Sequence, residues 1–306
     1  DHRDGEKHVY FARSFDGGKS FTPGVAVDPS PGRQDRPCLV LDSEGNPVIA
    51  WIKVHTVAEN MNPVGYIHVS RSDDGGGTFQ PSVSVFPESK PYQGWPALAI
   101  DSNDNPLVGL HYYSQGNSSW DVYLARSIDQ GASFLKPVAV ANDSYNQHIM
   151  GNDAIVLDSK GRPYIAYMDD RSGDWNIWIT KAAPDGRSFL SGVPIESQAE
   201  RQILPTLAMD SNDTLYVAWA DSRSGVSNIR FTMSEDGGAS FRDSIPVDPV
   251  NALQNRVCLG VDSNRGVTHI IWTDHRQGAH YVYHSMSLNH GYSFLPGMPV
   301  YAFPPK

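Results

Sequence analysis

An all-β fold of six four-stranded blades, a β-propeller, is predicted for this chain of 306 residues by three observations. A short phrase of the form Ser-x-Asp-x-Gly-x-Ser/Thr-Phe returns six times, as Ser14–Phe21, Ser72–Phe79, Ser127–Phe134, Asp185–Phe189, Ser234–Phe241 and Ser287–Phe294. Its closing phenylalanines recur every 52 to 58 residues, the length of one four-stranded blade. Between them lie short runs rich in Val, Ile, Tyr and Trp that alternate with period two, as half-buried antiparallel strands do.

The phrase reads as a hairpin clamp. Its Asp carboxylate and Ser/Thr hydroxyl suit nearby backbone amides, its glycines supply positive φ, and its Phe anchors the turn in the blade. The fourth copy is one residue short and the sixth has Asn289 in place of the Asp, drift that a scaffold turn tolerates better than a catalytic group.

The fifth unit shows a whole blade. Leu207 to Met209 reads as strand A, Asp210 to Asp213 as a turn, Tyr216 to Trp219 as strand B, Ile229 to Phe231 as strand C, and a short strand D follows near Ile245 to Val247. The first unit is incomplete, because Asp1-His2-Arg3-Asp4-Gly5 matches the loop after strand B in Asp274-His275-Arg276-Gln277-Gly278. The first blade is therefore expected to lack its two inner strands. The expectation is one propeller domain over residues 1–306, within a longer natural chain; an open first blade would instead invite assembly through its edge.

Composition narrows the partners. The formal net charge is −10 with no Lys/Arg cluster, which argues against a nucleic-acid partner, and no apolar stretch approaches the roughly 18 residues of a membrane span. Cys38 and Cys258 occupy equivalent places on separate repeats, too far apart for a disulfide, and are expected to be buried free thiols. No phosphate loop or zinc spacing occurs, and the Asp-Ser-Asn-Asp turns at 101–104 and 210–213 read as Asx turns rather than calcium loops. No metal or cofactor is expected.

In a meander A-B-C-D the A–B turns share one end of the blade with the repeated phrase, so a site is expected at the other end, on the B–C loops and D–A segments. Two features recur there. Asp-x-Arg-x-Gly stands at Asp1/Arg3, Asp169/Arg171, Asp221/Arg223 and Asp274/Arg276, and is read as a loop-closing brace. Gln34, Gln93, Gln202 and Gln254 each precede by eight residues the Asp that ends strand A, and would place a ring of amides at a channel mouth, holding water or sugar hydroxyls.

Positions that break the repeat are better ligand candidates. Two residues after the glutamines stand Arg36, Trp95, Leu204 and Arg256; the arginines suit a carboxylate or sulfate, and Trp95 suits a sugar face. The B–C loops of the second and third blades, His55 to Pro63 and His111 to Trp120, add aromatic, amide and hydroxyl groups, Tyr113 among them. The ligand-binding set is thus Arg36, Gln93, Trp95, Tyr113, Gln202 and Arg256, with no catalytic residue assigned.

The repeated phrase resembles the Asp-box, or bacterial neuraminidase repeat, of sialidases and many other propellers, and the resemblance covers essentially the whole chain. It implies a secreted or surface-exposed propeller that binds glycan or protein ligands on the face opposite the boxes. A sialidase-like exo-glycosidase is the second implication, and a structural subunit joined through the open blade the third. Exo-sialidases use an Arg triad, a Tyr nucleophile with a Glu, and an Asp near Arg-Ile-Pro. Here the nearest match is Arg36-Pro37, with Asp35 and Glu59 as acids, Arg201 and Arg256 as further arginines, and Tyr281 or Tyr283 with Glu200.

Overall fold

The computed structural model describes residues 1, 5–55, 64–86, 93–114, 118–151, 153–196 and 200–300. The chain divides into two compact units, Asp1–Ser144 and Tyr145–Lys306. Among the described residues no helix is long and apolar enough to cross a membrane.

The first unit opens with β1 (Tyr10–Phe11), paired among the described residues to β2 (Val25–Ala26). Two four-stranded antiparallel sheets follow. The first is β3 (Arg33–Leu41), β4 (Pro47–His55), β5 (Val64–Arg71) and β6 (Val83–Ser84), and the second β7 (Gln93–Ile100), β8 (Pro106–Ser114), β9 (Ser119–Arg126) and β10 (Val138–Ala141).

In the second unit, strand A of the first sheet is split into β11 (Gln147–His148) and β12 (Ile155–Leu157), both paired to β13 (Pro163–Asp169). That sheet continues through β14 (Asn176–Lys181) to β15 (Val193–Pro194). The next is β16 (Gln202–Met209), β17 (Leu215–Asp221), β18 (Asn228–Ser234) and β19 (Ile245–Pro246). The last is β20 (Gln254–Asp262), β21 (Val267–Asp274), β22 (Tyr281–Ser287) and β23 (Met298–Pro299).

These sheets are propeller blades, and among the described residues there are five of them, not the expected six. Among the described residues the first repeat contributes the C- and D-type strands β1 and β2 as a two-stranded sheet.

The repeated phrase folds as a clamp in each repeat. In the second, Ser72 Oγ donates to Asp74 Oδ1 at 2.7 Å and accepts the Gly76 amide at 2.8 Å. Asp74 in turn accepts the amide and hydroxyl of Thr78 at 2.9 and 2.8 Å, and these bonds hold its carboxyl at about 2. Asn289 replaces the carboxylate in the last copy by accepting the Ser293 amide at 3.0 Å and donating to its hydroxyl at 2.9 Å. Gly76 has a φ of +95°, and a Cβ there would lie 2.1 Å from the Phe11 ring, so both backbone and neighbour demand glycine.

Blades are tied to one another by repeated polar contacts. Ser43 donates its amide and hydroxyl to Asp104 at 2.8 and 2.7 Å, and Ser159 does the same to Asp213 at 2.7 Å. Arg71 reaches the carbonyl of Gln130 at 3.2 Å, as Lys181 reaches that of Gly237 at 2.7 Å. Between the sheets the core is apolar, with Trp51, Trp219 and Trp272 fully buried on the B strands.

The indoles of Trp219 and Trp272 donate to Asp221 and Asp274, both at 3.0 Å. Lys53 stands at the equivalent place after Trp51 and turns instead to Asp28, 2.9 Å away, with both side chains about nine-tenths buried. Burial raises the Asp28 carboxyl, but hydrogen bonds from Ser30 and Lys53 outweigh it and hold the group at about 2.

Because that value lies below the unfolded one of about 4, the stabilisation is complete above pH 4 and is lost as pH falls toward 2. Lys53→Met should cost about 3 kcal/mol at pH 7, since it strands a buried carboxylate. Urea unfolding of wild type and variant should show this gap narrowing from pH 4 downward, and a constant gap would refute the ion-pair account.

Candidate ligand site at the strand-A bulges

In β3, β7, β16 and β20 the ladder slips between Asp35 and Cys38, Gly94 and Ala97, Ile203 and Thr206, and Asn255 and Cys258. Pro37, Pro96 and Pro205 lie inside three of these slips, where a residue without an amide hydrogen cannot continue the ladder. At each slip one non-glycine residue takes the left-handed conformation: Arg36 at φ 54°, Trp95 at 47°, Leu204 at 56° and Arg256 at 51°. Such residues cost about 1–3 kcal/mol each and persist where the surroundings over-determine them. The bulge turns each side chain out of the ladder's alternation.

The glutamines beside these bulges are not a solvated ring. Gln34, Gln93, Gln202 and Gln254 are all buried, with exposures of 4% or less. Their side-chain oxygens accept the amides of Val9, Ile67, Ile177 and Ile229 at 2.9, 3.0, 3.3 and 2.9 Å. Each of these amides lies on, or just before, the C strand of the preceding repeat. Gln254 also donates to the Asp248 carbonyl and to Asp274. Gln93 and Gln202 therefore each hold the start of their own strand against the preceding repeat.

The Asp-x-Arg loops close on themselves as the spacing suggests. Arg171, Arg223 and Arg276 bond Asp169, Asp221 and Asp274, and Arg276 also bridges to Asp248 of the preceding blade. Arg3 and Glu59 lie outside the described residues.

Of the expected ligand residues, the structure joins Arg36 and Trp95. The Arg36 guanidinium carbon sits 3.4 Å from the centre of the Trp95 ring. Arg36 is exposed and Trp95 half-buried. Around the base of β3, Lys7 and Arg33 both bond Asp35, and Glu6 accepts the Gly32 amide. Burial raises the Asp35 carboxyl, but Lys7 and Arg33 outweigh it and keep the group ionised. Lys7 and Arg33 thus share one carboxylate at the start of the strand whose bulge carries Arg36.

Tyr113 on β8 packs edge-on against Trp120 at 5.3 Å, which also meets His111 at 5.0 Å. In the second unit Arg256 is exposed in its left-handed place after Asn255. Tyr283 is buried against Trp272, with Arg276 over its ring and its hydroxyl bonded by Gln277. Its environment is that of a packed core residue.

Two further groups stand at the fourth-repeat insertion, which the sequence places among the D–A segments with a rim histidine at His148. Asp153, beside the fourth-repeat insertion, keeps solvent access while the protein around it desolvates its carboxyl and pushes it up. His148 lies edge-on to Trp175 at 4.9 Å, and burial lowers it to about 4 despite Asp170. Neither has a motif signal, because both shifts arise from packing.

No family model and no curated protein matches the chain. Solved structures do. An ulvan lyase, a polysaccharide lyase bound to GlcA(1-4)Rha3S, superposes with a TM-score of 0.66 over 96% of this chain and 78% of its own, at 10% identity. The α-L-arabinanase of Penicillium chrysogenum gives 0.61 over 88% and 84%, at 16% identity, and a leech trans-sialidase 0.57 over 84% and 58%, at 10%. These likenesses show the β-propeller fold.

A Cβ at Gly94 would lie 2.5 Å from His111 Nε2, whose ring is buried. Gly94→Ala should therefore destabilise the chain by about 1–3 kcal/mol and shift tryptophan fluorescence through Trp95 and Trp120. Unchanged urea midpoint and emission would show that His111 has room to move.

Proposed function

We propose that the chain is an extracellular Asp-box propeller that binds an acidic saccharide at the bulge end of its blades. On the first unit Arg36 and Trp95 form the centre of the surface, with Tyr113 a further contact and Gln93 behind the bulge of β7; on the second unit, taken by itself, Arg256 is a contact residue and Gln202 positions the bulge of β16. The carrying observation is the stacked Arg36–Trp95 pair, which brings a guanidinium and an indole together at the bulges of β3 and β7. A guanidinium binds a carboxylate or sulfate through paired N–H donors, and the indole face that Arg36 does not cover suits the ring that bears it. The site also lies away from the clamped turns: the Asn46 and Asn105 side chains of the A–B turns accept the Gly75 and Gln130 amides of the boxes, at the opposite end of β3 and β7. The carbohydrate-active neighbours, an ulvan lyase, an arabinanase and a trans-sialidase, support the glycan reading.

Calorimetry with oligogalacturonate, a sulfated oligosaccharide and a neutral arabino-oligosaccharide tests it. The acidic probes should bind with an affinity that falls as salt rises, and Arg36→Ala should weaken them about tenfold or more, the loss of one charge-assisted contact. Trp95→Ala should weaken them as well. Absence of saccharide binding, or binding indifferent to both substitutions, would overturn the proposal. Turnover of a fluorogenic sialoside or arabinoside that is lost in Asp153→Asn would make the chain a hydrolase, with Asp153 as its acid.

A further inference from the structure

One face of the last sheet, β20–β23, is covered by the sheet before it, where Val257, Ile270, Trp272 and Tyr283 join the cluster built on β17 and β18. Its other face is open among the described residues. That face carries Ile271, Val282, Met298 and Val300, with exposures of 42, 46, 59 and 59%. Cys258 is exposed beside Ile271, its partner in the ladder. The expectation of a buried Cys258 is thereby corrected, whereas Cys38 is buried as expected.

The preceding sheet gives a like-for-like comparison, because the strand registers of the two sheets correspond. Ala218 stands where Ile271 does, Ile229 where Val282 does and Val247 where Val300 does. Their exposures are 0, 1 and 3%. The elements that cover them are the A and B strands of the following blade, β20 and β21, through Val257, Ile270 and Trp272. The residue types on the open face are those of an interface, and the repeat itself shows what such an interface receives.

We infer that the open face of β20–β23 is a docking surface for an A–B strand pair of this same repeat: a two-stranded antiparallel hairpin with alternating apolar residues and a tryptophan at the position of Trp272. The inference is independent of the saccharide reading, since it concerns a different surface and needs no sugar.

Cys258 reports on the face. A peptide spanning residues 200–222, the A–B hairpin of β16 and β17 with Trp219, serves as the probe, and modification of Cys258 by a thiol reagent in the 306-residue chain is followed by absorbance. Saturating peptide should slow modification about fivefold or more. A scrambled peptide should have no effect, and Ile271→Lys or Val282→Lys should abolish the protection while leaving the circular dichroism unchanged. Undiminished modification with the peptide present, or protection that survives both lysines, would overturn the inference. A Cys258 already protected in the chain alone, with a mass that doubles as concentration rises and returns to monomer in Ile271→Lys, would overturn it in favour of a second copy.

Discussion

The buried glutamine of strand A is the contact on which the arrangement of the blades and of the site depends. An amide oxygen that accepts a backbone hydrogen of the preceding repeat does what a β-ladder cannot, because the two sheets lie face to face rather than edge to edge. Leaving such an amide hydrogen unmade in a dry interface costs about 1–3 kcal/mol. Gln34, Gln93, Gln202 and Gln254 satisfy one each, so the start of each A strand is fixed relative to its neighbour. Two residues further on comes the left-handed residue. Its unfavourable backbone is held between that anchor and the resumed ladder, and for three of the four a proline follows immediately.

From this follows a division of labour along each blade. At one end the carboxylates of the clamps and Asx turns are saturated by amides and hydroxyls of their own turn, as with Asp74 and with Asp101, which accepts the amides of Asn103 and Asn105 at 2.9 Å. Groups so fully engaged have little left to offer a ligand. At the other end the bulges turn whatever side chain they carry out of the ladder, and the backbone does not dictate its identity. Leu204 and Trp95 occupy the same backbone state as Arg36 and Arg256. The geometry is common to the repeats and the chemistry is local, which is how a scaffold can keep its strands while its surface changes.

The repeat made the strands and their antiparallel order legible, since a period of 52 to 58 residues and alternation of apolar positions are both local signals. The clamps and the Asp-x-Arg braces were legible for the same reason: donors and acceptors lie within a few residues of each other. The glutamines were not. A polar residue at the edge of a loop reads as solvated, and only the arrival of the previous blade, about 25 residues upstream, buries it. The bulges left a trace that went unread, the proline inside a strand, whose missing donor excludes a regular ladder. The shared register of Arg36 and Trp95 was legible in the repeat, but their stacking was not, because the two belong to different blades.

The sixth blade failed to appear for a reason that also explains the misplaced cysteine. Counting phrases counts C–D hairpins, since the phrase is the turn between those two strands. A blade additionally needs its A and B strands, which form the inner half of each sheet and supply the side chains that cover the blade before. Phe21 closes the first phrase as Phe294 closes the last, yet Phe294 packs on Phe231 at 5.0 Å while Phe21 is 66% exposed. The same clamp thus exists with its phenylalanine packed and with it exposed. The turn is stable through its own hydrogen bonds, so its presence in the sequence guarantees a hairpin and not a blade. Burial at positions such as Cys258 is a property of the neighbouring sheet, and cannot be read from the strand that carries them.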